Sequence, residues 1–111
     1  MVKSTRYFSD KQEKRVAKRV GGKQVSNSGA TSFSKGDVRT SDWLIECKTC
    51  TSPKSSMSIK KAWLEKNEEE AFAMRRNYNA VAIDFGSSET YYIIDEKTFL
   101  KLLKMSENET I

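Results

Sequence analysis

The chain has 111 residues, 37% hydrophobic and 32% charged, a balance that suits one soluble domain with a modest core. No apolar run approaches the roughly 20 residues that span a bilayer, and no signal-peptide pattern opens the sequence, so a cytoplasmic protein without a membrane is expected. Residues 1–61 carry 14 Lys and Arg against 5 Asp and Glu, a net of +9, while residues 62–111 carry 6 against 10, a net of −4; a basic half of this kind points to a polyanion partner, most often nucleic acid.

In chain order, Ser9-Asp10-Lys11-Gln12 has the form of a capping box, which predicts a first helix from Ser9 to about Val20, ended by Gly21-Gly22. Glu13 shares the face of Val16, Ala17 and Val20, and Lys11, Lys14, Arg15 and Lys18 cover a neighbouring face. A short strand near Lys23 to Ser26 leads into Asn27-Ser28-Gly29-Ala30-Thr31-Ser32. That loop reads either as a plain turn or as hydroxyls and amides arranged for a phosphate. Gly36-Asp37-Val38-Arg39 opens a second strand, Thr40-Ser41-Asp42 turns it back, and Trp43 to Lys48 forms a third. The two-residue period places Leu44, Glu46 and Lys48 on one face of that strand and Trp43, Ile45 and Cys47 on the other.

After a polar loop over residues 51–58, a second helix is expected from about Ile59 to Asn77, with Ile59, Trp63, Ala71, Met74 and Tyr78 as its apolar stripe. Lys60 and Lys61 fall in its first turn, where the helix dipole disfavours cations and a bound anion would offset the cost. Ala80 to Phe85 reads as a buried strand, turned at Gly86-Ser87-Ser88 and answered by Tyr91 to Ile94. Asp95 then caps a last helix, Glu96 to about Lys104, packing through Phe99, Leu100 and Leu103. Residues 1–8 and 105–111 are expected to fray. This order describes a single α/β or α+β domain over residues 1–111, built on one central sheet.

The chemistry concentrates around the third strand. Burying Glu46 and Lys48 in a hydrophobic strand is expensive unless each meets a partner or a metal. Glu13 from the first helix, Asp37 and Glu46 offer oxygens suited to Mg²⁺, with Mn²⁺ able to substitute. Lys48, on the face of Glu46, can orient a water or neutralise charge building on a phosphate. Cys47-Lys48-Thr49-Cys50 is a lone CxxC without histidine or a second pair, too few ligands for structural zinc. It lies within a strand, where Cys47 reads as a small core residue before a redox thiol.

A glutamate on an N-terminal helix, a Ser-Gly loop, Gly36-Asp37 and a hydrophobic strand ending in Glu46-Cys47-Lys48, followed by a helix, resemble the PD-(D/E)xK nuclease superfamily. Within it the chain looks most like Holliday junction resolvases of the archaeal and phage type, over Ser9 to Lys61. The resemblance implies a restriction-endonuclease-like core, a mixed sheet flanked by helices, and an Mg²⁺-dependent endonuclease acting on branched DNA as a homodimer. Asp37, Glu46, Glu13 and the Cys47 backbone carbonyl would then hold the metal, and Lys48 would be the catalytic lysine. Ser28 would match the loop serine that contacts the scissile phosphate, and the basic side chains Lys11, Arg15, Lys18, Lys60 and Lys61 are expected to contact the DNA backbone. Short nucleases of this kind are frequent in phage genomes, which would place the protein in a host cytoplasm. Gly36 stands where the motif has proline, and the loop lacks the arginine often found before its serine. The alternatives are a nicking or DNA-processing nuclease for other branched or single-stranded DNA, a non-catalytic DNA-binding protein, and a CxxC redox protein.

Overall fold

The strand Trp43–Lys48 is the centre of the molecule, paired on both sides and buried along Leu44, Ile45, Glu46 and Cys47. The computed structural model describes residues 4–25 and 37–108. Along them run α1 (Thr5–Val20), β1 (Lys23–Gln24), β2 (Asp37–Arg39), β3 (Trp43–Lys48), α2 (Lys61–Ala73), β4 (Tyr78–Ile83), β5 (Tyr91–Ile93) and α3 (Glu96–Asn108). The five strands form one mixed sheet in the order β1-β2-β3-β4-β5. The β1–β2, β2–β3 and β4–β5 pairs are antiparallel, and β3–β4 is parallel, joined through α2. The protein is an α+β domain with three helices among the described residues.

Alternation of side chains sorts the two faces of the sheet. Val16 and Ala17 of α1 pack on Val38, Ile45, Cys47, Ala80 and Ala82, which share one face by register. Leu44, Glu46, Val81 and Asp37 fall on the opposite face, where α2 lies across β3 and β4. Asn67, wholly buried in α2, donates to the Leu44 carbonyl (3.3 Å) and accepts from the Asn79 side chain (2.8 Å), so the helix is tied to both strands.

The helix boundaries differ from those expected. Ser4 caps α1 by accepting from the Tyr7 amide (3.2 Å), so the helix starts one turn before Ser9 and includes residues expected to fray. Gln12 does not reach back to a cap; it is buried and donates to the carbonyls of Lys48 (2.8 Å) and Ala82 (3.3 Å). α2 stops at Ala73 because the chain turns over through Arg75 at φ 58°. Tyr78 already belongs to β4, stacked on Trp43 at 4.8 Å, so the expected stripe is broken at its end. Asp95 does cap α3 by accepting from the Thr98 amide (2.8 Å), and the helix extends to Asn108.

α3 departs most from expectation, burying none of its residues. Phe99, Leu100 and Leu103, expected in the core, are 53%, 52% and 41% exposed. The helix follows a three-residue edge strand; Lys101 lies over the Tyr78 ring (4.8 Å), and Leu102 lines a cavity with Trp43 and Ile45.

This division of load makes a contrast in stability. Leu44 is fully buried and Phe72 is 85% exposed. Leu44→Ala should cost about 2–5 kcal/mol in urea unfolding, whereas Phe72→Ala should change stability by no more than about 0.5 kcal/mol.

Candidate metal centre

Asp37 is the first residue of β2 and stands directly opposite Glu46 in the antiparallel register with β3. Residues opposed in this way project from the same face, so the pairing alone brings two carboxylates together. Glu70 arrives from α2 over that face. Carboxylate oxygens of Asp37, Glu46 and Glu70 all lie within 4.8 Å of one another. All three residues are buried, Asp37 completely.

Such a cluster is electrostatically frustrated. Among the described residues, no nitrogen or hydroxyl donor reaches either oxygen of Asp37, Oε1 of Glu46 or Oε1 of Glu70, all of them buried. Each orphaned buried acceptor costs about 1–3 kcal/mol, more when charged. Burial, followed by the Glu70 and Glu46 charges, pushes the Asp37 carboxyl up to about 8, and Lys66 opposes the rise only partly. Glu70 is also raised, first by burial, with Lys66 pulling the other way and Glu46 adding to the rise. The cluster therefore needs positive charge in its centre, either a proton or a cation. An all-oxygen donor set without histidine or thiol fits a hard divalent ion such as Mg²⁺ or Mn²⁺.

Two cations border the acids. The Lys48 ammonium lies 3.2 Å from Glu46 Oε2 and 5.0 Å from the centre of the Trp63 ring. Lys66 sits one turn before Glu70, at 3.8 Å from its carboxylate. Lys48 is one-third exposed, so its charged end lies where buried acids meet solvent.

The expected site residues divide clearly. Asp37, Glu46 and Lys48 come together, whereas Glu13 is not among the carboxylates that meet. Glu13 is buried on the α1 side, where its charge acts strongly on Cys47, and it accepts from Gln24 Nε2 (3.2 Å). It lines a cavity with Lys48, Cys47 and Thr49 at the end of β3. Alternation explains the separation: α1 packs over Cys47, and Glu46 points the other way. Arg15, expected on a DNA face, turns inward instead. It donates to buried Asp84 at 3.0 Å, and Thr49 and the Gly86 amide also donate to that carboxylate. Lys11, Lys18, Lys60 and Lys61 are exposed, with Lys60 at the N-terminal cap of α2. Ser28, the Ser-Gly loop and Gly36 lie outside the described residues.

The Cys47 side chain sits in the core, and burial, then the Glu13, Asp37, Glu46 and Asp84 charges, push its thiol upward. That is opposite to the lowered value a reactive redox thiol requires. Both cysteines are free.

Glu70 is the residue that sequence reading missed. It is hidden in the run Glu68-Glu69-Glu70, where charge alone does not say which side chain turns inward. The available signal was Ala71, expected in the core, with Trp63, Asn67 and Glu70 at the i, i+4, i+7 spacing of one helix face.

No family model, no curated protein and no solved structure matches this chain.

The metal-free centre should make stability fall with pH. Without metal, burial and the neighbouring acids push the Asp37 carboxyl up to about 8 in the folded chain, against an ordinary 3.8. Between those values the folded state keeps a proton that the unfolded chain releases, so this contribution is present at low pH and lost as pH rises toward 8. Metal-free melting temperatures should decline across that window, and Mg²⁺ or Mn²⁺ should restore more stability at about pH 8.5 than at about pH 6. Asp37→Asn should flatten both effects. A metal-induced thermal shift independent of pH would contradict the shared-proton description.

Proposed function

We propose that this chain is a divalent-metal-dependent DNA endonuclease of the PD-(D/E)xK kind, with branched DNA, a four-way junction first, as its substrate. One observation carries the reading: three buried carboxylates with orphaned oxygens converge while the lysine two residues after Glu46 holds its ammonium beside them. Salt bridges account for Glu46 with Lys48 and for Glu70 with Lys66, but not for Asp37, whose two buried oxygens meet no nitrogen or hydroxyl donor among the described residues. A mixed sheet with a β3–α2–β4 crossover is compatible with a restriction-endonuclease-like core.

In this reading Asp37, Glu46 and Glu70 hold the ion, with the Cys47 backbone carbonyl a further oxygen implied by the resemblance. A bound Mg²⁺ would polarise a phosphate oxygen and lower the pKa of a water. Lys48 supplies positive charge where negative charge develops on the phosphate under attack. Lys66, beside Glu70, adds a second cation at the rim. Glu70 takes the place that the resemblance gave to Glu13, so the third acid comes from the helix after the motif rather than the helix before it. Exposed Lys11, Lys18, Lys60 and Lys61 supply basic surface for the DNA backbone, an attraction that must weaken with salt. Arg15 is withdrawn from that role by its ion pair with Asp84. The exposed apolar side of α3 gives a surface on which two copies can pair, as symmetric cutting of a junction requires.

The deciding assay incubates labelled four-way junction, flap, nicked duplex and single strand with and without Mg²⁺. The wild type should cut only with the metal and prefer the junction. Asp37→Ala, Glu46→Ala and Glu70→Ala should abolish cutting while DNA binding persists, and Lys48→Ala should slow it by about 10²–10³-fold. Binding unaffected by EDTA, with no cleavage of any substrate, would identify a non-catalytic DNA-binding protein instead.

A further inference from the structure

Lys48 is fixed along its backbone but not at its charged end. Its carbonyl accepts from Gln12 Nε2 (2.8 Å) and from the Asp84 amide (3.3 Å), which pins the chain where β3 ends. Among the described residues the ammonium, on a flexible four-carbon stem, has two partners with a favourable charge distribution: Glu46 Oε2 at 3.2 Å and the Trp63 ring, its centre 5.0 Å away. These two holds respond differently to a cation in the carboxylate cluster. Glu46 is one of the acids that would surround the ion, so its negative charge becomes shared, and the ion repels the ammonium. The neutral indole face is untouched by the ion and keeps its attraction for the lysine.

We infer that Trp63 is the positioning residue that holds the Lys48 ammonium beside the scissile phosphate once the carboxylates are occupied by metal. The inference rests on the nuclease reading of the site. The helix is built for the task. Trp63, Asn67 and Glu70 recur on one face of α2, and the buried Asn67 anchors that face to β3 and β4 between the other two. One rigid element thus sets both a carboxylate of the cluster and the aromatic surface under the lysine. The core stripe expected for this helix explains Ala71, whereas half-buried Trp63 lies against a charged group.

The test pairs NMR of full-length, lysine-labelled protein with cleavage kinetics. The Lys48 side-chain signal, assigned by its loss in Lys48→Ala, should show an upfield ring-current shift with and without Mg²⁺, and Trp63→Leu should remove it. In junction cleavage Trp63→Leu should be slower by about 2- to 30-fold, the range from an exposed to a desolvated cation–π contact, and Trp63→Phe should recover part of the loss. In a Lys48→Ala background Trp63→Leu should have no further effect. A Trp63→Leu defect of equal size in both backgrounds, or a Lys48 shift that vanishes when Mg²⁺ is added, would overturn the inference. Failure of the wild type to cut any DNA with Mg²⁺ would instead sink the nuclease reading, and the ring-current shift would still judge the contact. Should Trp63→Leu not fold, Trp63→Phe and the wild-type spectrum decide the matter.

Discussion

Three carboxylates forced together out of water cannot all be charged unless something positive lies among them. That constraint organises the part of the molecule around β3. The Asp37–Glu46 register supplies two acids, α2 supplies Glu70, and burial beside these acids drives the Asp37 carboxyl upward. A domain that needed only stability would gain by replacing such a cluster with packed apolar side chains. Its presence in a sheet otherwise filled with Leu44, Ile45, Val81 and Ala82 makes it the candidate site for a cation.

The surrounding structure keeps the acids from moving apart. The turn between β2 and β3 is fastened by Thr40, whose hydroxyl accepts from the amides of Asp42 (3.3 Å) and Trp43 (3.0 Å). This holds the register that opposes Asp37 to Glu46. On the other side of the sheet, Gln12 bridges the ends of β3 and β4, and Arg15, Thr49 and Asp84 form a buried polar lock next to it. Glu13 and Arg15 of α1, which looked like a ligand and a DNA contact, thus sit in the packing beneath the site. The division follows from alternation: Glu46 and Lys48 face α2, and Cys47 faces α1.

How much could be read from the sequence depended on the range of the interaction. The Asp37–Glu46 pairing was legible, because a strict period of two and a three-residue turn leave little choice of register. Burial of Glu13 was legible too, from its place on the face of Val16 and Ala17. The partner of Glu13 was not, since nothing local says which face of the sheet a helix will cover. Glu70 required knowing how α2 is rotated over β3 and β4, and a row of acids conceals that angle. α3 misled for a related reason. Its apolar residues show a helix face, but a face is buried only if the chain brings another surface to it, and the short edge strand before α3 does not.

The most direct measurement of the central claim is an anomalous-scattering map from crystals soaked in Mn²⁺. One manganese peak is expected in coordinating contact with Asp37, Glu46 and Glu70, absent in crystals of Glu46→Gln. A peak seated instead at Glu13 in the α1 cavity, or none near the three acids at saturating manganese, would contradict it.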